Sequence, residues 1–571
     1  MKRILYVLLA VLMLMGLFAS CKQTNDPSPP PSSPDNSTSA PPKPSETGSS
    51  PSPVETDPGW DSNVDYDEYV PPPSDTAAEI TIMMWAGDGS YMKDIGNLNL
   101  TPEDLRGRNQ AAAYATAKAF KEVYPNIKIN VYAKEGDPNT DGISWAQRIE
   151  NFRAEYGAYP DIYVTMDVVA DVQKGMCADI SVFENDPVYR SFNKGVLMLS
   201  NINGKQFALP KYLLPWGIYV NKSLAEANNI DVPGPDWTID QYTEFVTHSD
   251  PSAPWYGAMD APLNLFQTGS KDFSYNLTHR TDGSYVNLAS DSFLRLLEYI
   301  PRWASHAVWP QNDLGNTPEG FMDENWWWGA RFFQQNRLLT LGDDPWMMGD
   351  IAHPDPEFYL SATMADWDIY PRPSTSELGN TVGVVFDPLA IHNFSADPNL
   401  SEEEAYSKLQ LAYEFAKFWC ADTRAWRARA EQLWLDGDSL NTAMDDSLPM
   451  VTGAAFNEQM QIWYSSLTHQ RFADKNKMPG WHRIIELWEG GQIWDISDKA
   501  YPWRFERDGS IHDILEEYFN CWNPEIVGAS RTDANWLDQM KALLPDWNRT
   551  FNERFAAEFA TLENSINRYY S

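Results

Sequence analysis

The stretch AFKEVYPNIKINV, residues 119–131, carries the end of a helix, a turn and a strand in quick succession. Apolar residues from Ala113 to Phe120 fall on one face and predict a helix near 108–123. The alternation of apolar and polar residues over 127–131 predicts a half-buried strand. A helix followed directly by a strand indicates an α/β fold.

The segments on either side of this stretch continue the alternation. Ile80 to Trp85 is an apolar run that predicts a buried strand, and PDIYVTM at 160–166 predicts another. Between them, apolar residues from Trp145 to Tyr156 recur at intervals of three and four, which predicts a second helix. Strands that alternate with helices indicate a parallel sheet, with any ligand beyond the carboxyl ends of its strands.

The size of the chain predicts two lobes. The folded part, from about residue 79 to residue 571, is too long for one hydrophobic core. The 43% of hydrophobic residues can bury a large core, and the 24 Trp are unusual. Trp on an exported protein often covers the apolar face of a sugar, although core packing is the alternative for each one.

Charge and cysteine content exclude several classes of protein. The formal net charge is -37, with 80 acidic against 43 basic residues, which argues against nucleic acid or an anionic membrane surface as a partner. Cys177, Cys420 and Cys521 lie far apart, so they indicate neither a disulfide framework nor a zinc finger. At most one disulfide is possible among them, and buried free thiols are the default expectation.

The first twenty residues predict export. Two basic residues precede an apolar run from Ile4 to Phe18, which is short for a membrane span of about 20 residues and is typical of a signal peptide. Cys21 follows Ala19 and Ser20 directly, where a bacterial lipoprotein signal places the cysteine that receives lipid, although Phe18 stands where that signal usually has Leu. The alternative is a cleaved, soluble protein with an incidental cysteine.

A tether is predicted after Cys21. Residues 21–78 include PSPPPSSP and VPPPS and show no apolar period, so they cannot bury enough surface to fold. A flexible chain of this length spans on the order of 40 Å, and Pro-rich stretches extend it further. Such a tether would hold a folded domain away from the membrane.

Several longer patterns occur in one order between residues 119 and 430. They are AFKEVYPNIKINV (119–131), PDIYVTMDVVADVQKGMCADIS (160–181), NGKQFALPKYLLPWGIYVNKSLAEANNI (203–230), PDWTIDQYTEFV (235–246), FFQQNRLLTLGDDPW (332–346), TVGVVFDPLAI (381–391) and AYEFAKFWCADTRAWRARA (412–430). This ordered set, behind a lipoprotein signal, resembles the extracellular solute-binding proteins of family 1, the sugar-binding lipoproteins of ABC transporters. The resemblance implies that Trp237 and Thr238 open a helix and that residues 412–430 form a helix.

The resemblance implies an α/β, two-lobed fold like that of the type II periplasmic binding proteins, with hinge strands between the lobes and a helical C-terminal extension. The implied division is 1–20 signal peptide, 21–78 tether, 79–215 first part of lobe 1, 216–380 lobe 2, 381–440 return to lobe 1, and 441–571 a helical segment packing on both lobes. This last segment is longer than the family pattern leads us to expect, so the ligand could be large or atypical.

The resemblance also implies a function. A monomer without cofactor would capture a carbohydrate, close over it and deliver it to ABC permease subunits at the outer face of the cell membrane. A sugar site needs flat aromatic rings beside carboxylates. The candidates that follow predicted strands or lie near the crossover are Trp85, Asp88, Asp167, Tyr212, Trp216, Asp344 and Trp346.

Each candidate has a structural alternative. A Trp in this set could belong to the core or the hinge, and an Asp after a strand is often a turn residue or a helix cap. Trp326, Trp327 and Trp328 cannot all face one way on a helix, so at least one is expected in the core. Peptides and anionic sugars stay open as ligands at this stage.

Metal binding and catalysis are the remaining alternatives. Residues 137–142 match the first half of a calcium loop, but Arg148 stands where the bidentate Glu belongs, so we predict no metal site. A secreted glycoside hydrolase would use two carboxylates whose spacing sequence cannot show. No G-x-S-x-G, H-E-x-x-H or Walker motif is present. A binding protein is therefore favoured over an enzyme, while a surface sensor feeding a kinase and an adhesive lipoprotein stay open.

Overall fold

The computed structural model describes residues 69–85, 92–134, 143, 145–165, 167–249, 254–259, 285–303, 306–308, 330–342, 348–353, 366–375, 380–495, 528–530 and 533–570. The predicted signal peptide, Cys21 and residues 22–68 of the tether lie outside these ranges. The predictions for those segments stay predictions. Residues 69–78, assigned to the tether from the sequence, belong instead to the folded domain, because Tyr69 is 9% exposed, its hydroxyl donates to Glu414 at 2.6 Å, and the first strand begins at Ala78.

The strands are β1 (Ala78–Met84), β2 (Ile127–Ala133), β3 (Ile162–Val164), β4 (Asn201–Ile202), β5 (Lys205–Gln206), β6 (Ala208–Pro215), β7 (Ile218–Val220), β8 (Ala258–Met259), β9 (Ala307–Val308), β10 (Thr340–Leu341), β11 (Asp368–Tyr370), β12 (Val382–Ile391), β13 (Leu433–Asp436), β14 (Ser439–Thr442) and β15 (Ile493–Asp495).

The helices are α1 (Arg108–Lys121), α2 (Trp145–Tyr156), α3 (Val168–Gln173), α4 (Pro187–Ser191), α5 (Lys194–Leu197), α6 (Lys222–Ala227), α7 (Ile239–Val246), α8 (Asp291–Trp303), α9 (Ala330–Gln334), α10 (Met348–Ile351), α11 (Glu402–Ala421), α12 (Thr423–Glu431), α13 (Gly453–Ser465), α14 (Pro479–Glu489) and α15 (Trp536–Tyr569).

The first lobe is built on β1, β2 and β3. As the periodicity predicts, β1 pairs in parallel with both β2 and β3, and α1 and α2 occupy the predicted crossovers. The sheet is not wholly parallel, however, because β12 joins β3 in antiparallel orientation, with Ala390 opposite Tyr163. A strand that returns from another part of the chain can join the sheet in either direction. The alternation of strands and helices therefore does not predict its orientation.

The second lobe is built on a smaller sheet of order β10-β7-β11. Its helix α7 is capped by Thr238, whose hydroxyl accepts from the Gln241 N–H in a capping box, as the Trp-Thr pattern predicts. Trp237, 1% exposed, donates its indole N–H to the Pro371 carbonyl at 2.7 Å. The helix is thereby fixed to the segment that follows β11.

Two long strands connect the lobes. β6 leaves the first lobe directly before β7, and β12 runs back antiparallel to it, from Val384 opposite Pro215 to Ala390 opposite Ala208. The other edge of β12 is shared by β15 at its start and β3 at its end. Every residue of β6 and β12 is buried, so this ribbon forms the hinge within the core.

The C-terminal helix α15 contacts elements of both lobes. Near its middle, Asn548 and Asn552 accept the backbone N–H groups of Leu288 and Val286, which lead into α8 of the second lobe. At its end, the Tyr570 hydroxyl donates to the Cys177 carbonyl of the first lobe at 2.8 Å. A helix thus spans the lobes independently of the hinge strands.

The structure corrects one sequence expectation and confirms another. The helix expected over 412–430 is two helices, α11 and α12, because Asp422 leaves helical geometry and caps the second one by accepting the Arg424 N–H. Cys177 and Cys420 are buried free thiols, as expected by default. Cys521 lies outside the described residues.

Within the described ranges, no helix combines the length and apolar character that a membrane crossing requires. The same part of the chain contains no group of three or more His, Cys, Asp or Glu placed to hold a metal ion. The calcium-loop candidate at 137–142 falls outside the described ranges and is untested.

His392, just after β12, supports a prediction about pH. Its ring stacks on Tyr159 with centroids 4.6 Å apart, and burial lowers its pKa to about 4. An unfolded His takes up a proton near pH 6.5, so acid favours the unfolded state, and up to about 3 kcal/mol of stability is lost between pH 6.5 and 4. We expect His392→Gln to remove this loss, measured by urea unfolding at pH 4.5 and 7.

The matched control is His248→Gln, because His248 is exposed at the end of α7. Asp171 and Asp368 act in the opposite sense, since burial raises the pKa of each to about 6 and the folded state then gains stability as the pH falls toward 4. The test is therefore the difference between variant and parent. An unchanged pH dependence in His392→Gln would contradict the prediction.

Candidate functional site

The candidate site lies where the hinge strands pass between the lobes. Tyr212 of β6 is opposite Asp387 of β12, and the register shifts at the next residue, Pro388. Pro has no N–H to donate to the ladder, so a bulge at this position is expected. The bulge changes the direction of the strand beside Tyr212.

Tyr212 is 9% exposed and is surrounded by carboxylates. Its pKa is raised well above its ordinary value, first by burial and then by the charges of Asp446, Asp445 and Asp387, with Arg108 opposing them. The phenol therefore stays protonated and can both donate and accept a hydrogen bond. Among the described residues, its hydroxyl has no hydrogen-bond partner.

Lys211, the neighbour of Tyr212, is 3% exposed. Burial lowers its pKa, while the negative charges of Asp445 and Asp387 act against that shift. Its Nζ lies 3.2 Å from Asn109 Oδ1 at the start of α1. A buried cation needs such compensation, and here it comes from three different elements of the chain.

Asp446 links the C-terminal part of the chain to the second lobe. Its Oδ1 accepts the Gly349 N–H of α10 at 2.9 Å and lies 2.8 Å from His469 Nε2. The other ring nitrogen of His469 is 2.7 Å from the Ser466 hydroxyl. A Cβ on Gly349 would stand 2.8 Å from Asp446 Oδ1, so this approach requires glycine.

Asp446 is placed beside β6 by the residues that follow it. The Leu448 N–H donates to the Leu213 carbonyl at 3.0 Å, and the Leu213 N–H donates to the Ser447 hydroxyl at 3.1 Å. This segment therefore lies alongside β6 of the hinge. Its carboxylates reach the surroundings of Tyr212 for that reason.

Trp216, a predicted ligand residue, is fixed at the beginning of the second lobe. Its indole N–H donates to the Gly342 carbonyl at 2.5 Å, and Arg372 donates to the carbonyls of both Trp216 and Gly342. The guanidinium lies 5.6 Å from the centre of the indole ring. These contacts agree with the hinge-packing alternative, and contact with a ligand stays a prediction.

Trp85 lies at the carboxyl end of β1 and is half-buried. Lys134, at the end of β2, has its Nζ 5.5 Å from the centre of the Trp85 ring and donates to the Val164 carbonyl of β3. The ends of three parallel strands thus meet at Trp85. The structure brings this residue to the edge where ligands of such sheets bind.

Asp167, at the end of β3, caps α3 by accepting the Ala170 N–H at 3.0 Å. This is the structural alternative for that residue, and a ligand role stays a prediction. Asp88, Asp344, Trp346 and the three Trp at 326–328 lie outside the described residues.

The sequence analysis missed Lys211, Asp387, Asp445, Asp446 and His469. Asp445 and Asp446 stand together in the otherwise apolar or small run AMDDSLPMV, and two adjacent acids in a segment of that composition were the available signal. Lys211 stands next to the candidate Tyr212, whereas nothing near His469 in the sequence indicates a site.

No protein-family model and no curated protein sequence matches this chain. Solved structures do match. An ABC substrate-binding protein from Listeria monocytogenes in complex with cycloalternan has a TM-score of 0.51 at 13% identity, over 83% of this chain and 99% of that chain. The cyclic alpha-maltosyl-1,6-maltose binding protein from Arthrobacter globiformis has a TM-score of 0.50 at 15% identity, over 83% and 100%.

The chain therefore has the two-lobed fold of periplasmic binding proteins. It shares that fold with solute-binding proteins of ABC systems, as the sequence resemblance implies.

Trp85 supports a prediction that separates a binding role from a structural one. Because the ring is only half-buried, we expect Trp85→Ala to reduce ligand affinity while lowering the melting temperature by no more than a few degrees. The measurements are calorimetric titration and thermal unfolding of the same samples. A large loss of stability with unchanged affinity would assign Trp85 to the core.

Proposed function

We propose that this chain is the solute-capturing subunit of an ABC importer and that it binds a carbohydrate, of oligosaccharide size, between its lobes. The main support is the junction at the hinge, where the phenol of Tyr212 lies among Asp387, Asp445 and Asp446. An aromatic ring beside hydrogen-bonding carboxylates is the combination that a sugar requires. The Listeria protein of the same fold was solved in complex with cycloalternan.

The proposed mechanism is capture followed by delivery. The lobes would rotate about β6 and β12, enclose the sugar and present the closed form to permease subunits, with energy supplied by a separate ATPase. In this proposal the protein makes or breaks no covalent bond.

The experiment is a thermal-shift screen of the purified protein against neutral oligosaccharides, followed by calorimetric titration of those that respond. A ligand that binds only the folded state raises the apparent stability by RT ln(1 + [L]/Kd). We expect at least one saccharide to bind without being altered. Hydrolysis of a saccharide, abolished by substitution of one carboxylate, would replace this proposal with a glycosidase.

We also propose that Cys21 carries lipid and that residues 21–68 tether the binding domain to the outer face of the membrane. The support is the position of Cys21 after the apolar run and the Pro-rich composition behind it. We expect Cys21→Ser to move the protein from the membrane fraction into the medium. Continued membrane association of that variant would contradict lipid anchoring.

A further inference from the structure

Tyr69, the first residue that the structure describes, is fixed on α11. It is 9% exposed, and its hydroxyl donates to Glu414 Oε1 at 2.6 Å. Its ring makes T-shaped contacts with Phe183 and Tyr413, at centroid distances of 5.7 and 6.0 Å, and Lys417 Nζ lies 4.7 Å from its centre. The side chain is therefore held both by its hydroxyl and around its ring.

The carboxylate of Glu414 belongs to a buried network of charges. Lys417 Nζ lies 2.7 Å from both Glu414 Oε1 and Asp186 Oδ2. The Tyr413 hydroxyl donates to Asp186 Oδ2 at 3.0 Å, and the Tyr124 hydroxyl donates to Glu414 Oε2 at 3.1 Å. Glu414 is 6% exposed and Asp186 is 2% exposed. Buried charges that are paired and hydrogen-bonded resist the removal of any one partner, because the others are then left without compensation.

The chain is held at two further points between this ring and β1. The Val70 carbonyl accepts from Gln410 Nε2 of α11 at 2.7 Å, and the Asp75 carbonyl accepts from Asn126 Nδ2, between α1 and β2, at 3.1 Å. Three consecutive Pro follow Val70, and their fixed φ limits the conformations that this part of the chain can adopt. The chain is therefore attached to two elements of the first lobe before β1 begins.

Without these contacts, a pull on the tether would act first on β1. This strand pairs with both β2 and β3, so it lies inside the sheet, and its loss would break two ladders at once. The helix α11 is instead bonded to the hinge strand β6. The Trp419 indole N–H donates to the Lys211 carbonyl at 3.2 Å, and the Cys420 thiol donates to the Pro210 carbonyl at 2.8 Å. A force that enters the domain at α11 therefore bypasses β1.

We propose that Tyr69, with Glu414 and Lys417 of α11, forms a clamp that transfers a pull on the tether to α11 and keeps it from β1. The inference rests on the proposed anchoring of the domain through residues 21–68 and makes that proposal more specific. It assigns the first lobe, at α11, as the point that the anchor holds. The second lobe is then the one that moves relative to the anchor.

The test compares two points of pulling on the full chain in an optical trap. One handle is attached at Asp438→Cys, at the exposed tip of the β13–β14 hairpin. The other is attached either at Ser45→Cys, ahead of Tyr69, or at Asp75→Cys, between Tyr69 and β1. The measured quantity is the time for which the lobe stays folded at constant force. So that no other thiol reacts, Ser replaces Cys21 and Cys521, whereas the buried thiols are kept at Cys177 and Cys420.

We expect the lobe to stay folded longer when it is pulled through Ser45 than through Asp75, because only the first path loads the clamp. Tyr69→Phe removes the hydroxyl alone. Since a hydrogen bond to a charged group is lost, this variant should shorten the folded time through Ser45 about 10- to 100-fold and leave it unchanged through Asp75. Equal folded times through the two points in the parent protein would overturn the clamp.

Tyr124→Phe is the matched control, because the Tyr124 hydroxyl donates to the other oxygen of Glu414 but does not belong to the pulled chain. We expect it to lower stability in urea about as much as Tyr69→Phe and to shorten the folded time through Ser45 much less. Equal shortening by both variants would indicate a general weakening of the lobe and would contradict the inference. Fractionation of Cys21→Ser tests the anchoring separately, so a negative result in the trap leaves that proposal standing.

Discussion

Replacing Phe555 by Ala is expected to destabilise the protein by about 3–5 kcal/mol, the usual loss when a large buried ring leaves a cavity. Phe555 is 0% exposed in the middle of the buried face of α15. Since proteins are stable by only about 5–15 kcal/mol, this single change should remove a large part of the total. Urea unfolding at pH 7 measures it.

The control for Phe555→Ala is Glu553→Ala on the exposed face of the same helix. Among the described residues, Glu553 pairs with Arg549 alone, four residues earlier, at 3.1 Å, and exposed pairs of this kind contribute less than about 1 kcal/mol. If Phe555→Ala proved no more damaging than Glu553→Ala, the helix would be an appendage rather than part of the core.

The position of α15 also bears on movement of the lobes, because the helix contacts both of them. The helix is bound to the second lobe through Asn548 and Asn552 and to the first lobe through Tyr570. A helix of 34 residues is about 50 Å long and does not stretch. Rotation of the lobes must therefore be accommodated at one of these contacts or at Pro545, where the helix lacks a backbone hydrogen bond.

Replacing Trp216 by Ala is the second change with a large expected effect. It removes a 9% exposed indole from the end of the hinge strand, together with its hydrogen bond to Gly342 and the ring beneath Arg372. We expect a loss of about 3–5 kcal/mol in stability and weaker saccharide binding, because the geometry between the lobes depends on this contact. Chemical denaturation and calorimetry of one preparation give both quantities.

Trp216→Phe separates packing from the hydrogen bond. Phe retains much of the buried ring, and Gly342 keeps its bond to Arg372, so we expect a loss of about 1–2 kcal/mol, mainly from the missing indole donor. Equal damage by Phe and Ala would show that the hydrogen bond, and not the volume of the ring, holds the hinge.

Local sequence patterns were sufficient to predict the strands and helices that begin the first lobe. β1, β2, β3, α1 and α2 follow from apolar spacing because each buries one face against its neighbours within the next few dozen residues. The capped start of α7 at Thr238 was likewise visible in the sequence, since capping depends on residues three positions apart.

The sequence did not predict the direction of β12 or the break between α11 and α12. β12 pairs with β6 across a long separation in sequence, and the alternation of strands and helices carries no information about such a return. The Asp422 break depends on a side chain capping the helix that follows it, which apolar periodicity does not report.

The sequence by itself determined that this chain is an α/β protein of two lobes with an acidic, Trp-rich composition, and it directed attention to Tyr212, Trp216 and Trp85. Only the tertiary structure placed Asp446 beside Tyr212, because the hydrogen bonds of Leu213 with Ser447 and Leu448 join residues more than two hundred positions apart. Periodicity records which residues are buried within one element. The partner of a buried charge is chosen by packing between elements, and a single sequence does not display that choice.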